Sequence, residues 1–148
     1  MMRWLLCALS WALLPVGCTH AAADSLTGSE SQVYDLTFSS VVILLEGSSV
    51  SVKYVGSSGD PAFLIVDTAN ISSVAQVSID LTQLVGGQPR GVLQNDSDGN
   101  TNQLGISLGT VVLDQVPKVG STLSGQFNAT LTDGFTLNGT FSGTVNAP

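Results

Sequence analysis

From Gln32 onward the chain is a succession of short runs in which apolar and polar residues alternate, separated by clusters of Gly, Ser, Asn and Asp. Tyr34, Leu36 and Phe38 alternate with Asp35 and Thr37, and Val77, Ile79 and Leu81 repeat the pattern. A period of two marks a half-buried strand, because successive side chains leave opposite faces. No window carries a 3.6-residue period with helix caps, and Ser, Thr, Val and Gly, which dominate, are poor helix formers. The spacing predicts strands near 33–38, 41–46, 50–55, 62–67, 74–83, 91–94, 104–114, 122–132 and 135–145. Val41 to Leu45 is apolar on both faces, as in a central strand, while Gly59-Asp60-Pro61 and Gly86-Gly87-Gln88-Pro89 are turn chemistry.

The last two strands predict their own pairing. Leu123, Gly125, Phe127, Ala129 and Leu131 share one face of the first, and Phe135, Leu137, Gly139, Phe141, Gly143 and Val145 one face of the second. A two-residue Asp133-Gly134 loop would set Leu131 opposite Thr136 and put apolar residues on the wrong side of the partner strand. A three-residue loop, Thr132-Asp133-Gly134, pairs Leu131 with Phe135 and Ala129 with Leu137, with Gly134 in the left-handed bulge position. The same register sets Phe127 over Gly139 and Phe141 over Gly125, so that rings cover the glycines. The expected fold is all-β, a single antiparallel β-sandwich of about eight to nine strands. A small up-and-down β-barrel is the alternative.

The first 23 residues read differently. Arg3 is followed by an apolar run, Trp4 to Leu14, and then by small residues, the layout of a secretory signal peptide. Pro15 and Thr19-His20 end the run short of the roughly 20 residues that a membrane-spanning helix needs. Two processing sites compete. Ala21-Ala22-Ala23 fits cleavage before Asp24 and release of a soluble domain. Val16-Gly17-Cys18 resembles the end of a lipobox, from which Cys18 would emerge lipidated, although Pro15 departs from that motif. Residues 24–31 are small and polar and are expected to form a tether, with the β domain spanning 32–148.

Composition narrows the chemistry. His20, both Cys and both Trp lie within the first 20 positions, so a chain released at Asp24 has no His, Trp or Cys, and one beginning at Cys18 keeps only Cys18 and His20 of these. No disulfide or Cys/His zinc site is then available, nor a Ser-His-Asp triad in the released chain, and no enzymatic activity is expected. Lys53, Arg90 and Lys118 stand against all 11 acidic residues, a net of −8 that repels nucleic-acid phosphate. The one dense cluster of oxygen ligands is the loop 95–102. Asp96, Asp98, Asn100 and Asn102 alternate there like the first half of a D-x-D-x-N calcium loop, with glycine at the fourth place and Ser107 in place of the closing Glu. The plain reading of the same residues is a solvated hairpin loop. Asn70, Asn95, Asn128 and Asn138 each begin an N-x-S/T sequon.

With its leader, lipobox-like end, polar tether and G-x-F-x-A-x-L-T-D-G hairpin, the chain resembles small uncharacterised bacterial secreted proteins and lipoproteins built on one β domain. The resemblance carries no catalytic or binding residue. The expectation is a non-enzymatic, exported cell-envelope module without a cofactor, either structural or binding an envelope or extracellular protein through a sheet face or edge. It would meet the membrane only through a lipid on Cys18, as an outer-membrane lipoprotein does. The polar Thr, Asn and Ser face of the last hairpin is the expected surface. The alternative is a calcium-stabilised adhesion or carbohydrate-binding module using the 95–102 loop.

Overall fold

The computed structural model describes residues 23–72, 76–97 and 99–148. Along the chain run β1 (Ser25–Thr27), a 3-10 turn (Ser29–Gln32), β2 (Ser40–Glu46), β3 (Ser49–Val55), β4 (Ala62–Asp67) and β5 (Val77–Asp80). Then follow β6 (Leu84–Val85), β7 (Gln88–Pro89), β8 (Gly91–Ser97), β9 (Asn100–Leu104), β10 (Ile106–Leu113), β11 (Thr122–Leu131) and β12 (Thr136–Asn146). The protein is all-β, as expected.

Ten strands form one continuous sheet in the order β5, β10, β11, β12, β2, β3, β4, β8, β9, with β1 added alongside β12. The sheet folds over at β12. Its first part pairs with β11 and β1 in one layer, sheet A; its end runs parallel to β2, Val145 beside Ile43, and opens the second layer, sheet B. The two layers face each other. The Tyr54 ring on β3 meets the Phe127 ring on β11 edge-on at 6.3 Å, and the Tyr54 hydroxyl donates to the Thr140 carbonyl at 2.9 Å. Burial pushes the Tyr54 phenol far above its usual pKa, and Asp24 adds to the shift, so the bridging proton stays in place. Strands β5 and β9 end the sheet without pairing to each other, which makes a sandwich and not a closed barrel.

The last hairpin has the expected register. Ala129 pairs with Leu137, Phe127 with Gly139 and Gly125 with Phe141. The Leu131 amide donates to Phe135, and Gly134 sits at φ 92°. A Cβ on Gly139 would lie 2.3 Å from the Phe127 ring, and one on Gly125 2.5 Å from the Phe141 ring, so the glycines make room for the core aromatics.

Three segments depart from expectation. Residues 24–31 are docked on the domain where a tether was expected: β1 pairs with β12, Leu26 and Glu30 are buried, and the Asp24 carboxylate accepts the Ser142 amide. A three-residue strand is too short to show a period. Residues 33–38 form no strand, because the Asp35 carboxylate captures the amide and hydroxyl of Thr37 and turns the chain. Leu36 is nonetheless buried, and Tyr34 and Phe38 pack on the core as their alternation implied. The expected strand 104–114 begins at Ile106 and is bulged between Ile106 and Leu108.

Candidate functional site

The outer face of sheet A is a polar array. On β11 and β12 the outward residues meet in rungs: Thr122 with Thr144, Ser124 with Ser142, Gln126 with Thr140, Asn128 with Asn138, and Thr130 with Thr136. The Asn128 rung continues through Thr110 on β10 to Asp80 on β5, and through Asn138 to Thr27 on β1, so one polar line crosses five strands. Part of the array is spent internally. Ser124 and Ser142 share a hydrogen bond at 2.9 Å, and Ser25 and Thr140 one at 2.7 Å. The side chains of Gln126, Asn128 and Asn138 form no hydrogen bond with the described residues, and Asn128 is exposed.

Around the Asn128 rung lies an open cleft of about 430 Å³, lined by Asp80, Thr82, Thr110, Asn128, Thr130 and Asn138 among others. Asp80 closes one end. Its carboxylate accepts the Thr82 hydroxyl at 2.7 Å and the Thr82 amide at 2.8 Å, and these bonds hold its pKa below the usual carboxylate range. Leu108, carried outward beside the bulge of β10, is the exposed apolar residue at the rim. The cleft thus presents two free carboxamides, hydroxyls and one fixed negative charge, an arrangement suited to hydrogen-bonding a polar surface.

The acidic loop is a tight hairpin. Asn95 pairs with Asn102, Asp96 with Thr101 and Ser97 with Asn100, and Gly99 stands at φ 77° in the turn. Alternation therefore sends Asp96 to one face and Asn100 and Asn102 to the other. Asp96 accepts the Thr101 hydroxyl at 2.6 Å, while the Asn102 amide reaches back to Asn95 at 3.3 Å. The structure does not bring Asp96, Asn100 and Asn102 to one point; Asp98 lies outside the described residues. Among the described residues no group of three His, Cys, Asp or Glu side chains is placed to hold a metal ion. Cys18 also lies outside them. Of the sequons, Asn95 is buried and closed to a glycan, while Asn128 and Asn138 belong to the polar array.

The outer face of sheet B has the opposite character. In one row Leu44 on β2, Ser51 on β3, Ile65 on β4 and Val92 on β8 are neighbours; in the next stand Val42, Lys53, Phe63 and Gln94. All eight are half-buried, and the five apolar ones are not part of the core between the sheets. Lys53 reaches Asp60 at 2.5 Å, with its ammonium 5.9 Å from the Phe63 ring centre. Sequence reasoning missed this face, although its signal was present in the doubly apolar run Val41 to Leu45. No helix of the described residues is long and apolar enough to cross a membrane. Compared with models of protein families, with curated proteins and with solved structures, the chain has no match.

Proposed function

We propose that the protein is a non-enzymatic module of the bacterial cell envelope, exported by its leader and tethered through a lipid on Cys18. It offers the outer face of sheet A to an envelope or extracellular protein. The observation that carries the reading is the set of unspent carboxamides, Gln126, Asn128 and Asn138, held at fixed spacing on rigid paired strands. The paired strands fix the spacing of these residues, so binding has only their side-chain rotamers left to order.

Two measurements test it. The intact mass of protein purified from its host should start at Cys18 and include a diacylglycerol adduct; a mass starting at Asp24 removes the tether. A photo-crosslinking residue at Asn128 should capture an envelope protein in living cells, whereas one at Gln88, on the separate β6–β7 ladder, should not. Adducts that persist in an Asn138→Arg background, or none from Asn128, would reject the binding face.

A further inference from the structure

We infer that the free edge of β9 takes up an extended, non-acidic segment of another protein as one more strand of sheet B, with a branched apolar residue of that segment set beside Leu104. The inference goes beyond the polar face of sheet A and depends neither on that face nor on the Cys18 tether.

Hydrogen bonds at the two ends of β8 fix which way the backbone of β9 points. The Gly91 amide donates to the Leu81 carbonyl, on the side of β8 away from β4, and the Asp96 amide donates to the Asp60 carbonyl, on the β4 side. Amides alternate sides along a strand, so Leu93 and Asn95 turn theirs toward β9, where they face Leu104 and Asn102. Leu104 and Asn102 therefore spend their backbone groups on β8. Thr101 and Gln103, between and beside them, aim N–H and C=O at the open edge. The Gly105 carbonyl, next in the same direction, accepts the Thr132 amide at 2.9 Å, which agrees with this phase and closes the edge at that end. No described strand lies beyond β9. Four backbone groups, in two pairs roughly 7 Å apart, are left at the spacing that only another extended chain matches.

Sheet edges are normally blunted by a charge, a proline or a bulge. Strand β9 reads Asn100-Thr101-Asn102-Gln103-Leu104 and pairs with β8 without a bulge; it has none of the three, and all but Leu104 are exposed. At Gln103 the edge meets a cavity of about 270 Å³, lined also by Leu81, Thr82, Leu104, Ile106 and Thr132 among others. Leu104 and Ile106 pack from this wall onto the core. A residue set opposite Leu104 leaves its strand on the same face as Leu104, so an apolar, β-branched side chain suits that place. Main-chain bonds then supply affinity, and the cavity selects the side chain.

A second copy of the chain fits the edge less well. Two antiparallel β9 strands that satisfy Thr101 and Gln103 on each other set Asn100, Asn102 or the turn before Asn100 opposite Leu104. Each register brings polar groups to an apolar wall. An acidic segment is disfavoured by 11 acidic residues against 4 basic ones, and by Asp96, whose carboxylate accepts the Thr101 hydroxyl.

The test uses the full chain, made with its own leader and labelled with nitrogen-15, and the peptide acetyl-KVTVTVK-amide as the probe. In the free protein the Thr101 and Gln103 amides should exchange quickly with solvent and those of Asn102 and Leu104 slowly. The peptide should shift the Thr101 and Gln103 resonances saturably and slow their exchange. Gln103→Pro removes a donor that faces only the edge, and it should weaken binding about tenfold. Should that variant fold poorly, N-methylation of the peptide's threonines cuts the same bonds from the other side. Serine in place of the peptide's valines should weaken binding as much. Slow exchange at Thr101 and Gln103 in the monomer without peptide means the edge is already covered, and overturns the inference. Binding that survives N-methylation, or that the serine peptide equals, overturns it as well. A dimer that forms without peptide and is lost in Gln103→Pro gives the edge to a second copy, and equally overturns it.

Discussion

The two sheets share one interior and the same alternation of strand residues, yet their outer faces have opposite compositions. Sheet A shows Thr, Ser, Asn and Gln in facing rungs on β11 and β12. Sheet B shows Val42, Leu44, Phe63, Ile65 and Val92 around a neutralised Lys53. Folding alone does not require this difference. The inner faces supply the core, from Ile43 and Tyr54 on one side to Phe127 and Phe141 on the other. Either outer face could have been polar with the same interior.

The comparison holds only while the interior keeps the sheets in register, and the largest effect is expected where they approach most closely. A Cβ on Gly139 would lie 2.3 Å from the Phe127 ring and 2.5 Å from the Tyr54 hydroxyl oxygen. Gly139→Ala should therefore cost about 2–3 kcal/mol, in the range of overpacked cores, and lower Tm by roughly 10 °C. Gly143, on the same strand, would meet Ile43 at an ordinary 3.5 Å, so Gly143→Ala is the matched control and should melt within a few degrees of the parent, taken as about 3 °C. Equal losses from both would mean that strand propensity, not the approach of the two layers, dominates. Next comes Tyr54→Phe, which removes the hydroxyl bridge to Thr140 and should cost about 1 kcal/mol in chemical denaturation, with an unchanged m-value.

A third effect has the opposite sign. Glu30 is the buried residue of the 3-10 turn that packs on β12, and one of its carboxylate oxygens has no partner among the described residues. Burial first, and then Asp133, raises its pKa above the usual carboxylate range. A carboxyl raised in the folded state supports folding while protonated. That support is whole below the ordinary carboxylate pKa and is lost as pH climbs through the raised value. Glu30→Gln should therefore stabilise the protein by about 1 kcal/mol at neutral pH, and the gain should shrink toward zero at about pH 4. Melts at the two pH values check it; a gain of equal size in acid would assign the effect to packing.

How much of this could be read beforehand differs between the parts. The last hairpin was legible to the residue, because glycines facing aromatics and the Thr132-Asp133-Gly134 loop admit one register that keeps every apolar side chain on one face. The polar array followed from the same alternation. Strand β1 was not legible, since three residues show no period and its place depends on an edge of β12 more than a hundred residues away. The geometry of the acidic loop was not legible, because D-x-D-x-N spacing also describes alternate positions around a tight hairpin, where Asp96 and Asn102 face opposite ways. The apolar outer face of sheet B was half visible. Val41 to Leu45 correctly implied a central strand, between β12 and β3, but one strand does not reveal whether a neighbouring layer covers its second face.

The smallest effects are the sharpest test of the contrast. Residues on an outer face contribute little to stability, so Ile65→Thr in sheet B and Asn138→Thr in sheet A, both to a good strand former, should each stay within about 0.5 kcal/mol of the parent. Their functional consequences should separate. Ile65→Thr is expected to leave crosslinking from Asn128 unchanged, and Asn138→Thr to weaken it. If Ile65→Thr instead costs about 2 kcal/mol or more, the size expected for a core truncation, then the outer face of sheet B is held by the fold itself. Its apolar residues would then be satisfied within the domain, and the reason to look for anything lying against them would disappear.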